Sequence, residues 1–267
     1  MEFVKMQGLG NDFILIDDRE GKLNLSYKDL AKKICNRRFG VGADGLVILK
    51  KSEKANFKMI IINQDGSEAE MCGNAIRCLG KYLILEKFTN SSTIKIETLS
   101  GIKYVEILKN ELIRVNMGKP SYLGKDIKLL NKESLINEEL VFNEEKVRVT
   151  ALNMGVPHCI LINTTYKTDF GKVIEKNNLF IEGTNVNFVE VINKKEIFVK
   201  TWERGVGETL ACGTGMCAAF SALNKMKLVE DEVLVRALGG SLNIEINKDD
   251  VYMTGDASFI CKGDFVI

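Results

Sequence analysis

The fold of this chain is most constrained by a pattern that occurs twice. A cysteine stands directly before a glycine and a polar residue at Cys72 and again at Cys212, and each begins a run with apolar residues at helical spacing. Little charge interrupts either run, so both predict a helix buried inside its own sheet. The apolar positions are Ala75, Ile76, Leu79 and Leu83 in the first run and Ala218, Ala219, Ala222, Leu223 and Met226 in the second.

Short β-branched segments surround each of these helices and predict strands separated by turns. They are EFVKM, DFILID, LVILK, FKMIII, TIKIE, KYVEIL and LIRVNM in the first half, and VRVTAL, HCILIN, NVNFVEV, EIFVKTW, VLVRAL, LNIEI and VYMTG in the second. A third helix is predicted over SYKDLAKKICN, with Ser26 as its N-cap and Asp29 three residues later. We interpret the halves as a weak internal duplication in which each supplies one equivalent thiol.

Charge and cysteine usage exclude several classes of function. Lys plus Arg number 37 against 36 for Asp plus Glu, which disfavours nucleic acid and anionic membranes as partners. No apolar run approaches the roughly 18 residues of a membrane span, and the N-terminus lacks the pattern of a signal peptide, so we expect a cytoplasmic protein. The seven cysteines lie in apolar segments, which argues against a disulfide framework. His158 is the only histidine and there is no Cys-x-x-Cys, so no metal site is predicted.

A thiol at the start of a helix has a distinctive electrostatic environment. The first N–H groups of a helix carry partial positive charge, so they attract anions and favour ionisation of a neighbouring thiol. Gly73 and Gly213 allow a ligand to approach this backbone closely. Two such thiols on opposite sides of one carbon could invert it, because one removes the α-proton and the other returns a proton to the opposite face. Taken singly, either cysteine is more simply a small packing residue.

Five segments together resemble the diaminopimelate epimerase family. They are QGLGNDFILID, GVGADGLVIL, NQDGSEAEMCGNAIRC, NMGVPHC and WERGVGETLACGTGMCAA, and they follow the order of the family along nearly the whole chain. The resemblance implies an α/β (α+β) fold of two pseudo-symmetric domains, each a mostly antiparallel sheet wrapped around a central helix, with the active site in the cleft between them. We expect one half at 1–117, joined by about 257–267, and the other at 118–256. With two prolines and no flexible linker, the boundary is predicted near residues 116–124.

The resemblance also implies an activity and a set of site residues. The activity is cofactor-independent epimerisation of LL-diaminopimelate to the meso form, in the synthesis of lysine and peptidoglycan precursors. Cys72 and Cys212 would transfer the protons, with support from His158 and Glu203. The implied substrate contacts are Asn11, Asn63, Gly73, Asn74, Asn185, Glu203, Arg204, Gly213 and Thr214. The partner would be a small diamino diacid, no pyridoxal is expected, and a homodimer is one option for the assembly.

Without the resemblance, the supporting residues have simpler interpretations. Asn11 and Asn63 lie beside turn signals and could be turn formers. Glu203 and Arg204 could form a solvated ion pair, and His158 could be a core histidine. Cys78 and Cys217, inside the two helices, are predicted to be packing residues.

Two departures and three rival functions stay open. Val156 stands where the family commonly has asparagine, and Gly45 where some members have glutamine. The distal specificity could therefore have changed, for example towards lanthionine. A non-catalytic amino-acid binding module is a more distant alternative. Gly213 to Ala218 fits G-x-G-x-x-A, but no predicted strand directly precedes it, as a dinucleotide site requires. A thiol redox protein is disfavoured because the two thiols lie half a chain apart.

Overall fold

The computed structural model describes residues 1–163 and 168–266. Ile267, the end of the predicted returning segment, lies outside the described residues. The chain divides into two compact units: unit 1 comprises Met1–Asn116 with Thr254–Ile267, and unit 2 comprises Met117–Met253. No helix among the described residues is long and apolar enough to cross a bilayer.

Unit 1 is built on a sheet. Its elements are β1 (Glu2–Gly8), β2 (Asn11–Asp17), α1 (Tyr27–Ile34), β3 (Gly45–Lys50), β4 (Phe57–Asn63), β5 (Glu68–Ala69), α2 (Gly73–Leu85), β6 (Thr93–Thr98), β7 (Gly101–Ile107), β8 (Ile113–Gly118) and β18 (Ser258–Asp264). Neighbouring strands of the sheet follow the order β18, β1, β2, β3, β4, β6, β7 and β8. The pairs β2–β3 and β4–β6 are parallel, the others are antiparallel, and the short β5 lies beside β4.

Unit 2 repeats this plan. Its elements are α3 (Gly124–Ile127), β9 (Glu138–Phe142), β10 (Glu145–Asn153), β11 (Pro157–Ile162), α4 (Thr168–Glu175), β12 (Asn185–Asn193), β13 (Glu196–Glu203), β14 (Gly207–Thr209), α5 (Gly213–Lys225), β15 (Glu232–Ala237), β16 (Gly240–Asn247) and β17 (Asp250–Gly255). The sheet follows the order β9, β10, β11, β12, β13, β15 and β16, with β11–β12 and β13–β15 parallel and β14 beside β13.

In each unit one helix is buried against the sheet. Helix α2 contacts β1, β2, β3, β4 and β7, and α5 contacts β10, β11, β12, β13, β15 and β16. Ten residues of each helix are buried, which is why their sequences are apolar on nearly all sides. The predicted architecture, mostly antiparallel strands around a central helix, is confirmed.

The strands and helices predicted from the sequence are all present. Ser26 caps α1 as predicted, because its hydroxyl accepts a hydrogen bond from the Asp29 amide at 3.4 Å. The prediction missed β5, β9, β14, β18 and α3, which are short or largely exposed, and it missed α4. Helix α4 follows β11 as α1 follows β2, and its buried Phe170 and Ile174, four residues apart, were the available signal.

Candidate active site

Both repeated cysteines occupy the N-cap position of a buried helix. Cys72 precedes α2 and Cys212 precedes α5, each with extended backbone angles, and neither side chain makes a capping hydrogen bond. Ser, Thr, Asp or Asn ordinarily fills this position to satisfy the first N–H groups. Neither helix has an acidic residue in its first turn. An anionic ligand can therefore take the place of a capping side chain at both helix starts.

In unit 1, Asn11 and Asn74 surround the Cys72 thiol. The half-buried Cys72 Sγ donates to Asn11 Oδ1 at 3.8 Å, and Asn74 Nδ2 donates to the same oxygen at 3.3 Å. Asp44 Oδ2 accepts from Asn11 Nδ2 at 2.6 Å, which fixes the orientation of that amide. Three predicted substrate contacts, Asn11, Gly73 and Asn74, thus lie together at the Cys72 thiol.

A network of charges holds Asp44 in turn. Arg37 Nη2 contacts Asp44 Oδ1 at 2.7 Å and Asp12 Oδ1 at 2.6 Å. Lys5 Nζ lies 3.0 Å from Asp12 Oδ2. Burial opposes ionisation of Asp12, but the hydrogen bonds and charges of Arg37 and Lys5 together outweigh burial and lower the pKa of Asp12. Asp44, which orients Asn11, is therefore paired with a cation, as is the neighbouring Asp12.

Arg77 is a fully buried cation on α2, one turn after the thiol. Its Nη2 donates to Asn74 Oδ1 at 2.9 Å, its Nη1 to the Gly73 carbonyl at 3.0 Å and its Nε to the Asp256 carbonyl at 3.3 Å. A buried guanidinium needs such acceptors because its desolvation is costly. Arg77 thereby fixes the first turn of α2. The sequence prediction missed this residue, although one arginine inside an apolar helix was a visible signal.

In unit 2, Cys212 is 7% exposed and its thiol lies beside a hydroxyl. Its Sγ is 3.3 Å from Thr214 Oγ1, and either atom could be the donor. A Cβ at Gly215 would meet Cys212 Cβ at 3.3 Å and Asn187 Oδ1 at 2.3 Å. Gly215 is therefore required for close packing of α5 against β12, and this explains the second glycine of the G-x-G-x-x-A match without a nucleotide. The nearest strand before this match was predicted to end at Trp202, whereas β14 lies between and ends at Thr209, four residues before Gly213.

His158 is completely buried in unit 2. Its Nδ1 lies 3.0 Å from Asn187 Nδ2, whose partner atom Oδ1 accepts from Thr201 Oγ1 at 3.0 Å. The Nε2 atom has no hydrogen-bond partner among the described residues. Burial lowers the pKa of His158 to about 3, and the positive charge of Arg204 acts in the same direction. The imidazole is therefore neutral at physiological pH.

The remaining predicted residues of unit 2 lie at the ends of β12 and β13. The half-buried Glu203 accepts from Thr209 Oγ1 at 2.7 Å. Asn185 is buried and joins two strands, because its Nδ2 donates to the Pro157 carbonyl and its Oδ1 accepts from the Arg204 amide, each at 2.9 Å.

Arg204 is exposed, and its guanidinium donates to the Glu182 carbonyl at 2.9 Å. It borders an open cavity of about 520 Å³ that also includes Glu175, Phe180 and Ile181. Cys212 does not line this cavity.

Asn63, Val156 and Gly45 have surroundings unlike those of the residues beside the thiols. Asn63 ends β4, is exposed, and donates to Ser67 Oγ at 3.0 Å, as expected of a turn residue. Val156 is half-buried in the turn before β11. A Cβ at Gly45 would lie 3.1 Å from the Ile62 carbonyl oxygen and 3.4 Å from the Phe13 ring, so little room exists for a larger residue.

Cys78 and Cys217 are fully buried, as predicted for packing residues. Burial raises the pKa of Cys78 to about 12, which keeps this thiol protonated. No three His, Cys, Asp or Glu side chains cluster as a metal site within the ranges that the structure describes. Besides Arg77, the sequence prediction missed Asn187 and Thr201, and an asparagine within the apolar segment NVNFVEV was the available signal.

Solved structures define the class of this fold. A phenazine biosynthesis protein of the PhzF family from Bacillus anthracis aligns over 100% of this chain and 99% of its own, with TM-score 0.73 and 16% identity. A hydroxyproline epimerase from Agrobacterium vitis aligns over 98% and 91%, with TM-score 0.67 and 14% identity. At these identities the likeness concerns the fold alone, which is that of the PhzF and proline-racemase-like epimerases.

The sequence comparisons are more specific. Residues 3–123 and 150–260 match the family model described as diaminopimelate epimerase. A diaminopimelate epimerase of Carboxydothermus hydrogenoformans is 44% identical over 274 residues, covering 100% of both chains. The chain belongs to the diaminopimelate epimerase family.

Proposed function

We propose that this protein converts LL-diaminopimelate to meso-diaminopimelate by moving the proton at one α-carbon. The observation that carries this proposal is the repeated cysteine N-cap, which gives the chain two equivalent thiols, each at the start of a buried helix. Membership of the family and the full-length relative at 44% identity support the same reaction.

In the proposed reaction, one thiolate takes the α-proton and becomes a thiol. The electron pair of the broken C–H bond remains on the substrate as a planar carbanion. The second thiol gives its proton to the opposite face of that carbon and becomes the thiolate. The reverse reaction exchanges the two roles, so the enzyme needs no net proton source. Cys72 and Cys212 have these roles in our proposal.

The helix starts would bind the carboxylate at the reacting carbon. Partial positive charge at Gly73 with Asn74, and at Gly213 with Thr214, favours an anion there and stabilises the charge that develops when the proton leaves. The proposed contacts to the rest of the substrate are Asn11, Asn63, Asn185, Glu203 and Arg204. His158 and Glu203 would support the thiols. Because Val156 stands where the family commonly has asparagine and Gly45 where some members have glutamine, lanthionine is the first alternative substrate.

Incubation of the pure protein with LL-diaminopimelate in heavy water tests this proposal. We expect chiral chromatography to show meso product, and mass spectrometry to show one deuterium at the inverted carbon, without added cofactor. Lanthionine in a parallel reaction tests the alternative substrate. A protein that binds diaminopimelate but leaves its α-hydrogen unexchanged would be a binding module, and the proposal would be wrong. The cytoplasmic location and a homodimer stay predictions.

A further inference from the structure

The two units have corresponding positions that differ sharply in polarity. In unit 1, Val47 pairs with Ile61 across strands β3 and β4. In unit 2, Asn187 pairs with Thr201 across β12 and β13. The number of residues between Val47 and Asn187 is the same as between Ile61 and Thr201, and the same as between the two cysteines.

The correspondence extends to the helix and to the neighbouring strand. Ala75 stands three residues after Cys72, and Gly215 stands three residues after Cys212. In the parallel pair β2–β3, Phe13 is opposite the first residue of β3; in the parallel pair β11–β12, His158 is opposite the first residue of β12. The apolar set of unit 1 is therefore Phe13, Val47, Ile61 and Ala75, and the polar set of unit 2 is His158, Asn187, Thr201 and Gly215.

The polar set is not needed to form the scaffold, because unit 1 forms the same scaffold with apolar residues. Phe13, Val47, Ile61 and Ala75 are all buried. Burying an imidazole, an amide and a hydroxyl instead is costly unless each is hydrogen-bonded. Unit 2 satisfies the amide and the hydroxyl, and leaves one imidazole nitrogen without a described partner. A buried polar atom without a hydrogen bond is unfavourable for stability, so its presence here points to a function.

The hydrogen bonds assign the tautomer of His158. The Asn187 amide is oriented with its Oδ1 towards Thr201 Oγ1 and its nitrogen towards Nδ1 of the imidazole. An amide nitrogen donates only, so Nδ1 must be the unprotonated acceptor. The single proton of the neutral ring then lies on Nε2, the buried atom that lacks a partner. An N–H in this state donates a hydrogen bond and cannot accept a proton.

Glycine at position 215 makes this arrangement possible. A Cβ there would lie 2.3 Å from Asn187 Oδ1, which is closer than real contacts allow. Ala75 occupies the equivalent position in unit 1, where the facing residue is Val47. The second glycine of C-G-T-G therefore leaves space for Asn187 and couples the start of α5 to the imidazole.

We propose that Asn187, held by Thr201, is a positioning residue that fixes His158 as the neutral Nε2–H tautomer. His158 then supports the epimerisation, which is itself our proposal, as a hydrogen-bond donor to an anion of the reacting complex. It does not act as a base. The lowered pKa of His158 agrees with this role, because the ring stays uncharged over the range in which thiols ionise.

Nitrogen NMR of the full chain, untagged and labelled with ¹⁵N-histidine, tests the assignment directly. His158 is the only histidine, so its two signals need no assignment experiment. We expect Nε2 to resonate as a protonated and Nδ1 as an unprotonated ring nitrogen, unchanged between about pH 5.5 and 8.5. A proton on Nδ1, or a titration near the ordinary histidine pKa of about 6.5, would overturn the proposal.

Substitutions test the positioning role. Asn187→Asp offers an acceptor to Nδ1, so we expect the proton to move to Nδ1 and kcat to fall roughly 10²-fold, with a smaller change in KM. Thr201→Val releases the amide and should give mixed tautomers, whereas Thr201→Ser keeps the hydroxyl and should restore both the NMR signals and kcat. Ile61→Val, at the equivalent position of unit 1, is the matched control and should leave both unchanged.

The two readouts separate this proposal from the proposed reaction. If the Nε2–H signals are present but no diaminopimelate is inverted, the proposed reaction is wrong, and so is the role of His158 in that reaction, while the tautomer assignment stands. If inversion occurs while Asn187→Asp leaves the tautomer and kcat unchanged, only the positioning role is wrong.

Discussion

Cys72 and Cys212 begin helices of equal length in the two units, yet different atoms surround their thiols. Cys72 faces the amide oxygen of Asn11, which can only accept a hydrogen bond. Cys212 lies beside the Thr214 hydroxyl, which can also donate. The charged groups differ as well. Unit 1 buries the Arg77 guanidinium behind its helix start, whereas unit 2 buries the neutral imidazole of His158.

This difference separates what the duplicated backbone supplies from what the side chains add. Both units supply a helix start with partial positive charge and a thiol at its N-cap. The hydrogen-bonding neighbours of the two thiols therefore differ, although the two units share one plan of helix and sheet. Such neighbours are among the groups that set how readily a thiol ionises. Four predictions test this comparison.

Removing either thiol should have the largest effect. We expect Cys72→Ala and Cys212→Ala each to lower the rate of inversion roughly 10³-fold, because each variant lacks the proton-transfer group on one face of the α-carbon. The remaining thiol could still exchange the α-proton of one stereoisomer with solvent. Deuterium uptake from LL- and meso-diaminopimelate, measured separately, should thus differ between the two variants. Normal inversion by either variant would remove the two-thiol scheme.

Making unit 2 resemble unit 1 should have the next largest effect. A variant that combines His158→Phe, Asn187→Val, Thr201→Ile and Gly215→Ala carries the apolar set that packs in unit 1. We expect it to fold with a free energy of unfolding within about 2 kcal/mol of the parent, since buried polar groups can be replaced together at little cost. Inversion should nevertheless fall by roughly 10²-fold. A folded variant with full activity would show that the polar set is dispensable.

Stability should depend on pH through His158, with no counterpart in unit 1. Its folded pKa of about 3 lies below the unfolded value of about 6.5, so the unfolded state binds more protons between these values. The contribution of the neutral imidazole to the free energy of unfolding is complete above about pH 6.5, and it is lost as the pH falls towards 3. Between about pH 7.5 and 5.5, urea unfolding should show the parent losing about 1.4 kcal/mol more than His158→Gln. Equal losses would contradict the buried neutral imidazole.

The smallest predicted change in stability concerns the helix caps. Cys72→Ser or Cys212→Ser introduces a good N-cap, so we expect the free energy of unfolding to rise by about 1 kcal/mol while activity is lost. Ser26→Cys at α1 is the matched control and should lower the same quantity by about 1 kcal/mol. Chemical denaturation measures all three. If the serine variants gain no stability, the helix starts are already satisfied by other groups.

The sequence by itself determined the duplication, both buried helices and the positions of Cys72 and Cys212. These features follow from local rules: helical periodicity, β-branched segments and the chemistry of a helix N-cap are each contained within a few neighbouring residues. The family resemblance added Asn11 and Asn74, which do lie at the Cys72 thiol.

Only the tertiary structure decided what each thiol has beside it. Asn187, Thr201 and Gly215 lie on two strands and a helix, and Asp256 reaches Arg77 from the far end of the chain. Such contacts depend on strand register, because a shift of one residue would turn each side chain to the other face of the sheet. The sequence thus shows two similar thiols, whereas the difference between their surroundings comes from residues that only folding brings together.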